Sequence, residues 1–535
     1  MKIFKEWIKK CAENDLRNPY QFVVVVLLAA VLLFQHAWVP GFFHDGHLYA
    51  ALGKNILLKG MWIIPSLSET HFKFYHYHPP LYAILEGMVF WIFGYTWVVA
   101  RIFSCLWGWG AVLLLSFFIY GIGRGRAEQE GKSPSFYIAW AYLSGIFLAL
   151  FPPLYKKARS PHLDVALTFL VLFALYFYFR AFEYFTSGKN RRGEIWCWLA
   201  AGVFFGLALL MKGPPALIIP MVIAAHLLCL GYWKKLFLDF MPWVGLLLGG
   251  AVFALWPLFA WKWGILDHFF YYLSTQVKAT VIEGRGRQEY LLGTYPYYLL
   301  ENVGPWFLLA FWGIYALFRD GIKKNPLGLL FLLLYLLVVV PFSFVRWKYS
   351  NYIVPCFPAL AALAAYPFAK MSCTFHGYFT FWVKRALVVV VMVLLIFPVT
   401  VRSGRDVELF RLLELMKYYD SSSEEISWVI VNEVYPFHNV VNLMAWQGKG
   451  NVMTDLTKSA DVCTLALALR GSSDGRKWGV FISSKDYEEV KQACKGDGAV
   501  LEEELKKFIY FPTKDFYVLF SKSVFKKEFM VDYGN

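Results

Sequence analysis

The amino-acid sequence predicts a polytopic α-helical membrane protein that ends in a small α/β domain. Of its 535 residues, 59% are hydrophobic and only 17% are charged, whereas soluble proteins carry about 25% charged residues. About eleven apolar segments approach or reach the roughly 20 residues that a helix needs to cross a bilayer. From residue 403 onward, short apolar runs alternate with amphipathic stretches, which is typical of an α/β domain.

The charges divide at the same boundary and predict an orientation. Residues 403–535 hold 17 Lys and Arg against 20 Asp and Glu, and residues 1–402 hold the other 35 basic and 17 acidic residues. Basic flanks of membrane spans stay in the cytoplasm and also contact anionic lipids. We therefore expect an integral inner-membrane protein with a cytoplasmic N-terminus, an extracytoplasmic domain at 403–535 and no nucleic-acid partner.

The first predicted span, Tyr20–Val39, follows a basic segment and lacks a cleavage pattern, so we expect an uncleaved anchor. Leu81–Phe93 is too short to span and is predicted to be an interfacial helix of the first outer part, which includes the loop 41–80. A long outer loop is predicted at 262–295. Residues 1–402 together are expected to hold about 11 to 13 transmembrane helices. The remaining predicted spans are Thr96–Tyr120, Phe136–Phe151, Leu163–Phe182, Trp196–Met211, Ala216–Leu230, Leu238–Trp261, Pro296–Phe318, Leu327–Phe342, Tyr352–Phe368 and Ala386–Val401.

The C-terminal domain is predicted from its apolar runs. Trp428–Glu433 and Trp478–Ile482 are short apolar runs, and each is followed by a helical stretch, Phe437–Trp446 and Lys485–Cys494 respectively. Phe508–Phe520 is predicted to form one or two strands around Pro512. Its cysteines Cys463 and Cys494 either pair in an oxidising compartment or remain core thiols.

Ionisable side chains gather on the face that this topology places outside. Such groups are costly at membrane depth and usually line a cavity or pair with one another, so they predict an outward-facing polar site. The alternative is that the Lys and Arg side chains snorkel to the interface. The group comprises Asp45, Glu69, Glu86, Arg101, Arg159, Asp164, Lys212, Arg346 and Lys348.

Asp45 is the candidate general base of this site. A carboxylate held near a membrane face can accept a proton from a reacting hydroxyl. Its alternative role is that of an N-cap for the helical run His47–Leu58. Both roles are compatible with its position directly after the first span.

Histidines concentrate in the first outer loop, which holds five of the chain's 11. Imidazole and carboxylate groups suit zinc or a similar divalent ion. We therefore consider His44, His47 and His76 as candidate metal ligands. The alternative is hydrogen bonding of these rings at a wet interface.

Three later segments place a cation at the outer end of a span beside Pro or Gly. They contain Arg159, Lys212 and the pair Arg346 and Lys348. Cations in such positions suit a lipid-linked phosphate at the interface. For Arg159, pairing with Asp164 is an equally open alternative.

The order of these motifs resembles that of the polyprenyl-phosphate-sugar-dependent glycosyltransferases of the C superfamily, which include the lipid A aminoarabinose transferase and the protein O-mannosyltransferases. The resemblance covers roughly residues 1–400. It implies a membrane enzyme that transfers a sugar from a polyprenyl phosphate to a lipid, glycan or protein acceptor on the outer face. The matching segments are Asp45 to Tyr49, Gly60–Pro65, His78–Leu81, Phe93–Gly94, Ala100–Arg101, Leu209–Pro214 and Lys348–Pro355.

The resemblance also implies roles for single residues. Asp45 is expected to be the catalytic carboxylate. Two positions depart from the family pattern: Gly46 stands where the family often has Glu, and His78 where it often has Lys. Lys348 and Tyr352 are implied to lie near the donor phosphate, and the second departure suggests that His78 or Lys73 covers a phosphate contact. The outer-face cations Arg159, Lys212 and Arg346 are further candidates for this phosphate by their positions in the chain. Tyr49, Glu86 and Asp164 are expected to contact the sugar or the acceptor.

A sugar on a lipid phosphate already carries a good leaving group, so one base is enough for its transfer. We therefore predict direct displacement with inversion, in contrast to the two-carboxylate scheme of retaining glycosidases, with cations stabilising the departing phosphate. The alternative class is a multi-span transporter or channel, although the sequence shows no pair of similar halves. We expect a monomer, with zinc as the only candidate cofactor.

Overall fold

The computed structural model of the chain is mostly helical. It describes residues 22–39, 41–42, 45–67, 74–75, 77–129, 134–188, 190–274, 293–345, 348–374 and 378–396, together with five strands. Within these ranges there are seventeen α-helices. They are α1 (Phe22–Phe34), α2 (Gly46–Lys59), α3 (Leu81–Phe93), α4 (Trp97–Gln129), α5 (Ser135–Ala149), α6 (Pro152–Ala158), α7 (Leu163–Ser187), α8 (Arg191–Lys212), α9 (Ile218–Cys229), α10 (Trp233–Leu238), α11 (Phe240–Lys262), α12 (Leu266–Tyr272), α13 (Thr294–Val303), α14 (Pro305–Arg319), α15 (Pro326–Phe344), α16 (Phe357–Thr374) and α17 (Tyr378–Ile396).

The chain divides into two compact units. The first comprises Met1–Ala37, His76–Tyr82 and Arg101–Val401. The second comprises Trp38–Tyr75, Ala83–Ala100 and Arg402–Asn535. The predicted domain boundary at 402/403 stays a prediction.

Glycines allow two helices of the first unit to meet backbone to backbone. Gly202 and Gly206 of α8 face Gly245 and Gly249 of α11. A Cβ on Gly206 would lie 2.7 Å from the Gly249 carbonyl oxygen, and one on Gly249 would lie 2.9 Å from that of Gly202. Four-residue spacing of small residues is what close helix packing in membranes requires.

Six helices are long and apolar enough to cross a membrane within the described ranges, or seven if a bent pair counts as one span. This confirms a helical membrane protein, but with fewer full-length spans than the predicted eleven to thirteen. Shorter apolar helices account for part of the difference. At predicted spans these are Phe22–Phe34, Pro214–Cys229 and Pro305–Arg319, whereas Leu81–Phe93 is a short apolar helix that was predicted to be interfacial and not a span.

One predicted span is broken and another is followed by a sharp bend, and each feature has a local cause. Pro296–Phe318 is split into α13 and α14 at Gly304, whose φ of 55° favours glycine, and Pro305 starts the next helix. Phe136–Phe151 corresponds to α5, after which the chain bends by 63° into α6. The two prolines at the start of α6 lack the amide hydrogens that would continue α5.

The described part of the second unit contains α2, α3 and one sheet. The strands are β1 (Ile426–Val431), β2 (Val452–Leu456), β3 (Lys477–Ser483), β4 (Phe508–Pro512) and β5 (Phe516–Ser521). Their order is β2-β1-β3-β5-β4, with β1 parallel to β2 and β3, and with β5 antiparallel to β3 and β4.

The sheet agrees in part with the sequence analysis. Strands lie at both predicted runs around 428–433 and 478–482, the 508–520 region forms two strands, and β2 was not predicted. The predicted helices of this domain, Cys463 and Cys494 lie outside the described residues. The α/β assignment of the domain therefore stays a prediction.

Candidate functional site

A buried ion pair at the end of α8 forms the centre of the candidate site. Lys212 is the last residue of α8, and its Nζ contacts Oδ1 of Asp164, in the first turn of α7. Only 7% and 3% of the two side chains are exposed. His162, directly before α7, places Nδ1 3.4 Å from Asp164 Oδ2 and accepts the Asp164 amide hydrogen. We call His78, His162, Asp164, Lys212 and Tyr352 the Lys212 cluster.

Gly213 shapes the turn that follows Lys212. Its φ of 78° favours glycine. A Cβ there would collide with the Tyr272 hydroxyl and lie 3.7 Å from Pro79 Cγ. The glycine therefore lets the segment around Pro79 approach the end of α8.

His78 enters the Lys212 cluster as a neutral ring. Burial, and then the positive charge of Lys212, lower the pKa of His78 to about 3. Nearby, the Tyr82 hydroxyl accepts the amide hydrogen of His162 at 3.0 Å, which fixes the start of α7. His78 therefore offers a neutral hydrogen-bonding group where the resembling family often has a charged lysine.

The 348–355 segment contributes an aromatic face. Lys212 Nζ lies 5.4 Å from the centroid of the Tyr352 ring, within the range of a cation–π contact. Lys348 Nζ donates to the Val345 carbonyl at 3.0 Å. Within the described ranges no carboxylate pairs with Lys348, so its charge stays available to an anion.

The two arginines of the predicted outer site are buried in the first unit. Arg101 is 2% and Arg159 4% exposed. Arg101 Nη1 donates to the Arg159 carbonyl at 2.5 Å, and Arg159 Nη2 donates to the Leu32 carbonyl. The snorkelling alternative is wrong for these arginines and for the buried Lys212. Pairing of Arg159 with Asp164 is also wrong, because Asp164 turns to Lys212 and His162.

Lys157 is a further candidate site residue, which its sequence position alone does not indicate. It donates to Asn351 Oδ1 and lies 3.4 Å from Ser350 Oγ, which ties α6 to the 348–355 segment. The bend before α6 makes this contact possible. The two prolines at 152 and 153 were the available signal, because they mark a new helix that carries Lys157 away from the preceding span.

Asp45 occupies the N-cap position of α2 but makes no capping hydrogen bond. Its position thus matches the N-cap alternative, whereas the stabilising interaction of an N-cap is absent. Tyr49, one turn into α2, is 6% exposed. Because no backbone amide of α2 occupies the Asp45 carboxylate, helix capping does not compete with a catalytic role.

Of the three predicted zinc ligands, the structure describes only His47. His47 Nε2 accepts the Phe42 amide hydrogen at 3.1 Å, so that nitrogen is already engaged. Over the ranges that the structure describes, no group of three His, Cys, Asp or Glu residues is arranged to hold a metal. His44, His76, Lys73 and Arg346 lie outside the described residues. The described residues therefore give a metal no site.

Glu86 lies at the crossing of α2 and α3. It is 0% exposed, and neither carboxyl oxygen has a hydrogen-bond partner in the described part of the chain. Gly53 makes room for it, because a Cβ on Gly53 would lie 3.0 Å from Glu86 Cγ. Burial raises the pKa of Glu86 well above its usual value. Glu86 is therefore a neutral acid at this crossing.

We expect Glu86→Gln to flatten the pH dependence of stability. In the folded protein the raised pKa keeps the Glu86 carboxyl group protonated. In the unfolded chain its pKa is about 4.5, so the group loses its proton above that pH. Stability is thus fully present below that value and declines as pH rises, by up to about 1.4 kcal/mol per pH unit. Melting temperatures of the detergent-solubilised protein between about pH 5 and 8 measure this slope. The exposed Glu301→Gln is the matched control, and equal slopes in both variants would contradict the assignment.

The chain resembles known membrane glycosyltransferases in sequence. Residues 77–261 match the family described as dolichyl-phosphate-mannose-protein mannosyltransferase. An undecaprenyl phosphate-alpha-4-amino-4-deoxy-L-arabinose arabinosyl transferase of Pseudomonas fluorescens is 26% identical, over 61% of this chain and 54% of that protein. An uncharacterized protein of Aquifex aeolicus is 25% identical, over 64% of this chain and 63% of its own length. The matches thus span less than two thirds of these relatives.

The fold is that of two solved membrane proteins. ArnT from Cupriavidus metallidurans, bound to undecaprenyl phosphate, gives a TM-score of 0.63 at 14% identity, covering 94% of this chain and 98% of ArnT. The Archaeoglobus fulgidus oligosaccharyltransferase, solved with Zn and sulfate, gives 0.54 at 13% identity, covering 93% and 72%. Together with the sequence matches, this confirms the resemblance to the C-superfamily glycosyltransferases.

Proposed function

We propose that this chain is an integral membrane glycosyltransferase that moves a sugar from a polyprenyl phosphate to an acceptor hydroxyl. One observation carries the proposal: the family match over residues 77–261 spans the segment that supplies His78, Asp164 and Lys212 to one buried cluster. Buried ionisable groups in a membrane protein usually mark a functional site. The Pseudomonas fluorescens relative is named as an arabinosyl transferase for undecaprenyl phosphate-alpha-4-amino-4-deoxy-L-arabinose, which supports a lipid-linked donor for this chain.

The proposed reaction is a single displacement with inversion. Asp45 removes the proton of the acceptor hydroxyl, whose oxygen forms a bond to the anomeric carbon. The bond between that carbon and the donor phosphate oxygen breaks, and its electron pair leaves with the polyprenyl phosphate. Because the phosphate is already a good leaving group, no protein acid needs to protonate it.

The donor phosphate is proposed to bind through Lys348 and the neutral His78. Lys348 has no carboxylate partner in the described ranges, so its charge can stabilise the leaving phosphate. Lys212 is different, since Asp164 already neutralises it. We assign to Lys212 and Asp164 the role of holding Tyr352 and His78 in place. Arg159, Lys73 and Arg346 remain further candidates for the phosphate.

The remaining assignments complete the proposal. The acceptor is a lipid resembling lipid A, a glycan or a protein. Of the three residues expected to contact the sugar or the acceptor, Tyr49 stays the candidate, because Glu86 is fully buried and Asp164 is paired with Lys212. The reaction takes place on the outer face of the inner membrane, with the N-terminus in the cytoplasm and the 403–535 domain outside, and the enzyme acts as a monomer. A zinc ion in the first outer loop would require His44 and His76.

Mass spectrometry of lipids and glycoconjugates from cells with and without this chain tests the activity. We expect one sugar mass to disappear from one class of molecule when the chain is removed, and to return with the wild-type chain. The Asp45→Asn chain, expressed to the same level, should not restore it. Unchanged glycoconjugates, together with solute uptake into proteoliposomes containing the protein, would indicate a transporter instead.

A further inference from the structure

A groove lined by apolar side chains lies between α8, α9, α10 and α11. Its volume is about 150 Å³. The side chains that line it include Trp198, Phe205, Ile223, Ala224, Leu236 and Trp243. Apolar cavities of about this size bind hydrocarbons such as benzene in other proteins. Trp243 is 45% exposed, so the groove reaches the surface of the helix bundle and suits a hydrocarbon chain that enters from the bilayer.

One end of the groove is framed by a fixed ionic network. Lys235 Nζ contacts Glu194 Oε1 and lies 2.5 Å from Asp239 Oδ2. Arg191 Nη1 lies 2.7 Å from Glu194 Oε2 and 3.4 Å from Asp239 Oδ2. Two cations and two carboxylates thus neutralise one another, and they connect the starts of α8 and α11 to α10.

Two further cations at this end lack an anionic partner. Arg192 and Lys234 are each next in sequence to a member of the network, and both are exposed. In the described part of the chain, neither pairs with a carboxylate. The end of the groove therefore carries a net positive charge that complements an anion.

Aromatic side chains place this end of the groove at the depth of lipid headgroups. Trp233 and Phe237 of α10 are 50% and 58% exposed, and Lys234 Nζ lies 5.6 Å from the Trp233 ring centroid. Exposed Trp beside Lys and Arg is typical of the membrane interface. A phosphate of a bilayer lipid would meet Arg192 and Lys234 at this depth.

This end of the groove is distinct from the Lys212 cluster. α8 runs for 22 residues from Arg191 to Lys212, which is about 33 Å at 1.5 Å per residue. The hydrocarbon core of a bilayer is about 30 Å thick. The two ends of α8 therefore lie near opposite membrane faces, and a donor phosphate at Lys212 cannot reach Arg192.

We propose that the groove holds a segment of one acyl chain of an anionic phospholipid whose phosphate lies against Arg192 and Lys234. The apolar side chains hold the acyl chain, and the neutral network keeps the two cations at the end of the groove. The bound lipid fills the space between α8 and α9 and supports the helix that carries Lys212. This assigns to the protein a second lipid site, separate from the one proposed for the donor.

Native mass spectrometry of the full-length, delipidated protein tests the site, with phosphatidylglycerol and phosphatidylcholine as probes. We expect tighter binding of phosphatidylglycerol. The double variant Arg192→Gln/Lys234→Gln should weaken it about thirtyfold, because each cation contributes about 1 kcal/mol toward an anionic lipid and 1.4 kcal/mol is a factor of ten. The matched control Lys323→Gln/Lys324→Gln removes two exposed lysines of another loop and should leave binding unchanged.

A groove-filling variant tests the acyl-chain part. Ala224→Phe should weaken the binding of both lipids while the melting temperature of the protein stays unchanged. If Ala224→Phe unfolds the protein, Ile223→Phe is used in its place. The Arg192→Gln/Lys234→Gln variant tests the binding of the lipid headgroup in either case. The proposal would be overturned if the wild-type protein bound both probes with equal affinity. It would also be overturned if the control lost as much affinity for phosphatidylglycerol as the Arg192→Gln/Lys234→Gln variant, or if that variant kept its affinity for phosphatidylglycerol. So would a groove that takes up polyprenyl phosphate in preference to phosphatidylglycerol.

Discussion

Asp45→Asn is expected to lower sugar transfer by about 10²- to 10⁴-fold, the usual contribution of a general base. Asn has nearly the shape of Asp but cannot accept the proton of the acceptor hydroxyl. Because the Asp45 carboxylate makes no capping hydrogen bond to α2, the substitution should not destabilise the protein through loss of a helix cap. Initial rates of transfer from a polyprenyl-phosphate sugar, measured with purified protein in liposomes, check the first expectation, and the melting temperature checks the second.

The exposed Asp267→Asn serves as the matched control and should retain activity. Asp45→Glu should restore part of the rate, since it returns a base at a slightly different distance. Full activity of a folded Asp45→Asn protein would show that another group removes the proton.

Lys212→Met is expected to lower the free energy of unfolding by about 3–5 kcal/mol, because it leaves the buried Asp164 carboxylate without its partner. The double variant Lys212→Met/Asp164→Asn should recover most of this loss, since it removes both charges. Chemical unfolding of the detergent-solubilised protein measures the three free energies.

The control pair is Lys370 and Asp320, whose side chains are 42% and 28% exposed. Lys370→Met should cost at most about 1 kcal/mol, as is usual for exposed ion pairs. An equally small cost for Lys212→Met would mean that water reaches the Asp164 carboxylate. If the stabilised double variant also regained transfer activity, the ion pair would be purely structural and not a positioning element for Tyr352 and His78.

The sequence predicts the helical segments well because their signal is local. Leu81–Phe93 has the same bounds in the structure as in the prediction, since apolar residues end abruptly at Pro80 and Gly94. The break at Gly304 was missed, because hydropathy averages over a window and does not register one backbone angle. The strand β2 was missed for a related reason: it has only five residues, and the polar Thr454 and Asp455 interrupt its apolar signal.

The candidate site is harder to predict, because its contacts join distant parts of the chain. The cations and carboxylates were identified by their positions at the ends of spans. Which of them pair was not predictable: Asp164 was weighed against Arg159, five residues away, whereas its partner is Lys212, 48 positions on. Only the packing of α7 against α8 brings these two together. Whether a charged side chain is available to bind a substrate thus depends on tertiary contacts that a single sequence does not reveal.

The glycine crossing of α8 and α11 has a consequence for motion. Helices that touch through side chains can slide, because side chains change rotamer. Here, carbonyl oxygens of one helix occupy the space that Cβ atoms of the other would need, so there is no such adjustable layer. The two helices should therefore move as one rigid body. Any opening that admits substrate must then arise where other helices border this pair.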